Sequence, residues 1–560
     1  MIRQKTIDGV LLRDMVMAGA QMLEKNREAI DALNVFPVPD GDTGTNMNLT
    51  MASAVRELNQ KEYLNAGEAA AAVAKGALRG ARGNSGVITS QLFRGFAKAL
   101  DGVDRITPQQ FAAALLRGAE TAYKAVMRPK EGTILTVARV IAQEAVKQAE
   151  AAPEDYDALF TTILTSGEAI LKKTQQMLPA LTQAGVVDAG GRGLLYIYIG
   201  YAASIRGEAL PTAEALTEGE GDTEPDHEDL HSLTGEIRFT YCTRYQIAHL
   251  FADTVMEDID SLRRRLNRIG GGVTVSGDLS KVSVHVDTNE PGKALDFGLS
   301  MGEITDVTIE NLLEKQRGEQ AEKEPEQPET PEEAPAAEEP LKPYGIVAVS
   351  LGDGFANIFK DLAVDQIVEG GQTMNPSIED LSEAIHRAHA ETVFVLPNNG
   401  NVILAAQQAA QLDESRRVFV IPTKNVAMGI AAAIAFEPEQ SPESNAARME
   451  EAAQQVRTCS VTYSVRDTQL DDLQIHEGDI IGMYNGKIQS VGSSAHDVAC
   501  TLMQDIVTED DGLITVYYGA DTSEADARSV TEELAKAFPD CDVEMQYGGQ
   551  PHYYYLISVE

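Results

Sequence analysis

The sequence predicts a multidomain chain: an all-helical domain first, a small α/β domain in the middle and a larger α/β domain at the end. Three observations carry this reading. Two acidic, proline-bearing stretches at 207–231 and 318–342 lack aliphatic periodicity and divide the chain into 1–206, 232–317 and 343–560. The apolar period is helical before the first stretch and two-residue after it. Beyond the second stretch, short apolar runs alternate with helical patterns.

In the first domain Ile7, Val10, Leu11, Met15 and Met22 recur at helical spacing, and alanine-rich runs follow at 66–79, 111–126 and 136–151. β-Branched alternation is scarce, so a helical bundle or barrel is expected, with chemistry on its interhelical loops. In the middle domain EIRFTYCTRYQI, VTVSGD and KVSVHVDT are strand-like, and IDSLRRRLNRIGGG between them predicts a helix closed by glycine. In the last domain YGIVAVSLG, TVFVLPNN and RVFVIPT alternate with the helical SIEDLSEAIHRAH and NVILAAQQAAQ, the signature of βα units around a parallel sheet. GLITVYYGA and DVEMQYGGQPHYYYLISVE predict further strands in a separate sublobe.

Composition excludes several functions. A formal charge of −40 opposes binding to nucleic acid or to anionic lipid surfaces. No run approaches the ~18 to 20 uncharged apolar residues of a membrane helix. Asp8 and Asp14 interrupt the apolar pattern at the start, against a signal peptide. Cys242, Cys459, Cys500 and Cys541 are dispersed without a CxxC pair, as suits reduced thiols in a cytoplasm.

The stretch NVFPVPDGDTGTNMNLTMASAV, residues 34–55, concentrates the chemistry. Its prolines and glycines postpone a helix to about Thr43, and the apolar pattern resumes at Met47 and Leu49. Asp40 and Asp42 are thereby expected on a rigid, solvent-facing loop that feeds a helix. Two carboxylates at that spacing can converge on one Mg²⁺, and the N–H groups from Thr43 through Gly44 and Thr45 to Asn46 suit phosphate. The alternative is that Asp42 caps the helix and Asp40 makes a turn.

Three further polar loops precede helices. GALRGARGNSGVI offers Gly83, Asn84, Ser85 and Gly86 for close approach to a polyphosphate. PKEGTILTVA places Thr133 at a helix start. GVVDAGGRGLLYIY places Asp188, Gly190, Gly191 and Arg192 at another, where the glycine pair accepts an adenine face or allows close helix packing. Neither GxxxxGK[ST] nor the protein-kinase motifs occur.

Asp40-Gly41-Asp42-Thr43-Gly44 with Asn46-Met47 resembles the metal-binding loop of the dihydroxyacetone kinase nucleotide-binding domain. Asn34 through Met47 with Gly83-Asn84-Ser85-Gly86 resembles the fatty acid kinase A subunit more closely still. The resemblance implies an antiparallel eight-helix barrel binding ATP through two Mg²⁺ ions. A third family aspartate upstream has no counterpart at the same spacing, and Asn34 is the candidate substitute. Residues 1–226 contain no histidine, which fits an acceptor that needs no general base: a fatty acid carboxylate is already ionised near neutral pH. Arg82 and Arg192 are candidates for neutralising transferred charge.

The middle domain resembles its counterpart in the same family, which implies zinc on Cys242, His285 and Asp287, with Asp287 where the family pattern has a second histidine. On the residues alone, a buried cysteine and a surface histidine are the favoured reading. Glu369 through Ser377, Pro397-Asn398-Asn399 and Ile421-Pro422-Thr423-Lys424 resemble that family's DegV-like C-terminal domain. Ser350-Leu351-Gly352-Asp353 replaces the Asp-Ser lipid signature of DegV-like families, so docking of a separate fatty-acid carrier, or a homodimer contact, is expected instead. The resulting expectation is a cytoplasmic kinase that phosphorylates a fatty acid presented by a DegV-like carrier. The alternatives are a dihydroxyacetone-type kinase of a small polyol and a nucleotide-responsive scaffold without turnover.

Overall fold

In a computed structural model the described residues are 5–34, 41–208, 241–251, 269–277, 281–289, 291–311, 341–371, 375–464, 468–470, 473–484 and 487–560, with single positions 210, 262, 265 and 266. The chain forms two compact units, Met1–Leu216 with Glu339–Glu560, and Thr217–Glu338. Asp40 and most of both acidic stretches lie outside the described residues, although Lys342, assigned above to the second stretch, opens a strand.

Eight long helices build the N-terminal domain: α1 (Gly9–Lys25), α3 (Thr43–Leu58), α4 (Ala66–Arg79), α5 (Gly83–Ala99), α6 (Pro108–Ala125), α7 (Ile134–Ala151), α8 (Tyr156–Met177) and α10 (Ala189–Arg206). Two short ones, α2 (Arg27–Leu33) and α9 (Pro179–Ala184), lie between them. Each long helix packs on the next, and α10 returns against α1, so the ring closes. Start signals behave as the sequence predicts. Asn65 and Asp155 accept from backbone N–H groups three residues on, and Thr107 with Gln110 forms a capping box. Inside the ring Met15, Met47, Met51, Phe111, Tyr156 and Phe160 are buried. Leu49, expected in that pattern, is 41% exposed.

The unit Thr217–Glu338 holds a four-stranded antiparallel sheet, order β2-β3-β1-β4. Its strands are β1 (Tyr241–Leu250), β2 (Gly270–Gly277), β3 (Lys281–Thr288) and β4 (Gly302–Asn311), with a helix at Pro291–Leu299. β4 was not among the expected strands. The glycines expected to close a helix open β2 instead. Most of the preceding predicted helix lies outside the described residues.

The C-terminal domain has two main sheets. In the first, β5 (Lys342–Ser350), β6 (Gln366–Glu369), β7 (Ala390–Leu396) and β8 (Arg417–Val420) are all parallel, in the order β6-β5-β7-β8. Val347, Val349, Val393 and Val395 pack against the helices Ile378–Arg387 and Ile403–Leu412. The alternate residues Ile346, Ala348, Phe394 and Leu396 pack on the other face. Burial on both faces is what parallel βα units require.

The predicted sublobe is a six-stranded sheet of β9 (Arg457–Tyr463), β12 (Ile480–Tyr484), β13 (Lys487–Gly492), β14 (Leu513–Tyr518), β15 (Asp542–Tyr547) and β16 (Tyr553–Val559). A small hairpin, β10 (Thr468–Leu470) with β11 (Leu473–Ile475), lies outside it. The order is β13-β12-β9-β16-β14-β15, and β14 with β15 is its parallel pair. A cleft of about 770 Å³ between the lobes is lined by Phe355, Asn398, Lys424, Met428 and His552 among others.

Ala81 and Val87, at the α4–α5 turn, belong to the same buried cluster as Val347, Val393 and Ile378. The helical and C-terminal domains therefore share a hydrophobic core. Among the described residues no helix is long and apolar enough to cross a membrane.

Ring closure depends on glycine where α10 crosses α1. A Cβ on Gly200 would stand 2.4 Å from the Ala18 carbonyl oxygen and 2.6 Å from the Gly19 Cα. Gly200→Ala is expected to destabilise the helical domain by about 1–3 kcal/mol. Urea unfolding followed by far-UV circular dichroism measures it, and an unshifted midpoint would contradict the crossing.

Candidate active site

The chain enters α3 through Gly41, held at a φ of +50°, and Asp42. Asp42 is 5% exposed, not solvent-facing as expected, because a loop of the C-terminal domain covers it. Its carboxylate does not cap α3. Oδ1 accepts from Asn34 Nδ2 at 3.3 Å and Oδ2 accepts from Asn375 Nδ2 at 2.6 Å. The Asn46 amide donates as well. Amide donors offset part of the burial cost, yet the Asp31 carboxylate nearby opposes a second negative charge, and burial pushes Asp42 up to about 6. No described ion pair neutralises Asp42.

Asp31, on α2, was missed by sequence reading. Oδ1 accepts from the Gly44 and Thr45 N–H groups at 2.6 and 3.1 Å, and Oδ2 from the Thr45 hydroxyl at 2.8 Å. It caps α3 from another helix, so those two N–H groups are engaged and not free for phosphate. Burial raises its pKa too. Gly44 is fixed by this approach: a Cβ there would stand 2.3 Å from the Arg27 carbonyl oxygen. Asn34 holds Asp42 through its NH₂ group, which makes it a support for the carboxylate in this structure. The one available signal for Asp31 was its acidity at the end of a helical pattern.

The Gly83 loop lies alongside. Gly83 has a φ of +56°, and a Cβ would stand 2.5 Å from Asn46 Nδ2 and 3.3 Å from Asn375 Nδ2. At Gly86 a Cβ would meet Thr50 Oγ1 at 2.4 Å. Both glycines let α5 press against the start of α3. Arg82 donates to the Asn375 carbonyl at 2.8 Å and pairs with Asp380 at 3.3 Å, while Asn84 donates to Asn401 at 2.9 Å. The Ser85 carbonyl accepts from Thr89. One residue, Asn375, thus touches both Asp42 and Arg82.

The other two loops are structural in this conformation. The Thr133 hydroxyl donates to the Lys130 carbonyl. Asp188 is half-buried, caps Gly191 N at 2.7 Å and accepts from the Ile134 backbone, so it ties the starts of α10 and α7 together; desolvation pushes it up to about 6. Gly190 and Gly191 pack on Ile134 and Val137, which favours helix packing over an adenine face. Arg192 is committed to Glu168 at 3.0 and 3.3 Å.

Residues 37–203 match the DAK2 domain, and 238–319 and 345–560 match the middle and C-terminal domains of proteins like the A subunit of fatty acid kinase. Protein YloV of Bacillus subtilis is 43% identical over 561 residues, covering 99% of this chain and all of that protein. The chain belongs to the FakA-like family, named for that kinase component. An uncharacterized protein of Staphylococcus aureus strain USA300 is 38% identical over 99% of both chains. Among solved structures, a DegV family protein from Thermus thermophilus, described for its fatty acid binding, aligns at a TM-score of 0.31 and 14% identity, over 39% of this chain and 99% of that one. The dihydroxyacetone kinase of C. freundii aligns at 0.28 and 17%, over 36% of each chain.

In the middle domain of this FakA-like chain, the register sets Cys242 opposite Asp287, and Arg244 opposite His285. Positions 242, 285 and 287 fall out of phase with the buried Thr243, Tyr245, Val284 and Val286. The three predicted ligands therefore share one face of the sheet by backbone position.

Because folding raises the Asp42 pKa, protonation favours the folded state. This contribution is present below about pH 4 and lost as pH rises through about 6. In metal-free buffer Asp42→Asn should match the parent near pH 4 and exceed its stability by about 3 kcal/mol above pH 7. A gap that does not change with pH in denaturant titrations would refute the burial argument.

Proposed function

We propose that this chain is the ATP-dependent catalytic subunit of a fatty acid kinase, transferring the γ-phosphate to the carboxylate of a fatty acid presented by a DegV-like carrier. The observation that carries this reading is Asp42, a buried carboxylate held by amides beside a second carboxylate, with no described cation to balance it. Such a site fits a hard divalent cation. Asp42, with Asp40 two residues before it, is proposed to hold two Mg²⁺ ions. Magnesium there would neutralise charge on the phosphates.

The chain's own part is positioning. The glycines at 83 and 86 bring α5 against α3, and Arg82 donates to the residue that also holds Asp42; Asn84 and Ser85 are proposed to face the phosphates from the same turn. Arg82 is the candidate for opposing charge on the transferred group. An ionised carboxylate acceptor needs no proton removed, consistent with a helical domain without histidine. The family takes its name from one component of a multi-subunit kinase, and the carrier and a homodimer are proposed on that basis.

Asp42→Ala and Asp40→Ala are each expected to reduce ADP release at least a hundredfold with lipid-loaded carrier. Hydroxylamine should trap the product as a hydroxamate; a product it leaves untouched would indicate a polyol phosphate. Equal ADP release by Asp42→Ala and the parent would leave a scaffold as the better account. We also propose zinc in the middle domain on Cys242, His285 and Asp287, with water as fourth ligand. Elemental analysis should find about one zinc per chain, lost in Cys242→Ser; metal-free protein refutes this site.

A further inference from the structure

We propose that Asn375 is a positioning residue of the kinase site, so that this site is built by two domains and is complete only while the C-terminal domain is docked. The proposal rests on the reading of Asp42 as a cation ligand. Asn375 is 333 residues from Asp42 in sequence, yet its Nδ2 donates to Oδ2 at 2.6 Å from a side chain that is 1% exposed. Docking does not require that bond. The Ile378 N–H donates to the Ala81 carbonyl at 3.2 Å, Gln91 donates to Gln408 at 3.0 Å, Arg79 pairs with Glu379, and Ala81 and Val87 share the C-terminal core. An apolar residue at 375 would satisfy the packing.

What the amide adds is orientation. With Asn34 on Oδ1 and Asn375 on Oδ2, the carboxylate is fixed from both sides, leaving its remaining lone pairs for a cation. Pro376 confines Asn375 to extended backbone, and the carbonyl of Asn375 is held by Arg82, so the side chain is aimed before any ligand arrives. The Asn375 Oδ1 is buried and has no hydrogen-bond partner among the described residues. It offers an acceptor beside the carboxylate for a cation-bound water.

Mn²⁺ binding to the full chain, read by electron paramagnetic resonance, tests this without turnover. The Asp42 site is defined as the Mn²⁺ lost in Asp42→Asn. Asn375→Ala is expected to weaken Mn²⁺ at that site about tenfold, and Glu379→Ala, which loosens docking elsewhere, by less than twofold. Asn375→Ser, which keeps a hydroxyl donor, should fall between parent and alanine and stands in if the alanine variant misfolds. Parent-like affinity in both Asn375 variants overturns the proposal, as does equal weakening by Glu379→Ala. If Asp42→Asn loses no Mn²⁺, the metal reading itself fails, a distinct result.

Discussion

A carboxylate enclosed by protein on all sides, with only amide groups to hold it, sets the terms for the rest of this molecule. An isolated buried charge costs several kcal/mol or more, and amide hydrogen bonds recover only part of that. At Asp42 the deficit is visible as a pKa of about 6, and Asp31 adds to it by charge repulsion. A structural carboxylate can instead cap a helix at the surface, as Asp155 does, or pair with arginine, as Glu168 does here. Asp42 does neither. On the proposed reading, a cation at Asp42 would offset that deficit.

Backbone proximity makes the enclosure possible. Gly44, Gly83 and Gly86 each occupy a place where a Cβ would fall within 2.5 Å of a neighbouring atom. They bring the ends of α2, α3 and α5 together, so that Asp31, Asp42 and Asn46 lie beside the start of α5. The glycines of the fourth loop do the same for α7 and α10.

The C-terminal domain supplies the lid of this enclosure and part of its foundation. Ala81 and Val87 flank Arg82 and the first turn of α5 and are buried in the parallel sheet's core. The loop that lines the proposed phosphate site is therefore braced from behind by one domain and topped by Asn375 from the same domain. A kinase domain alone would present Asp42 to water and leave Ala81 and Val87 exposed. The two domains form one compact unit, and the middle domain forms another.

Local physics settled much in advance. Period, caps and turn residues pointed to a helical first domain, the parallel βα units and the second sublobe, because each depends on neighbours within a few residues, whereas the number of helices came from the family resemblance. The same local signals located Asp42 at the start of α3 and the glycine loop at the start of α5. Tertiary structure alone decided that Asp42 is buried, that Asp31 and not Asp42 caps α3, that Asp188 ties two helices together, and that Asn375 completes the carboxylate's partners. These depend on contacts between segments up to 333 residues apart, and no period or spacing in a chain encodes which distant amide will face a given acid.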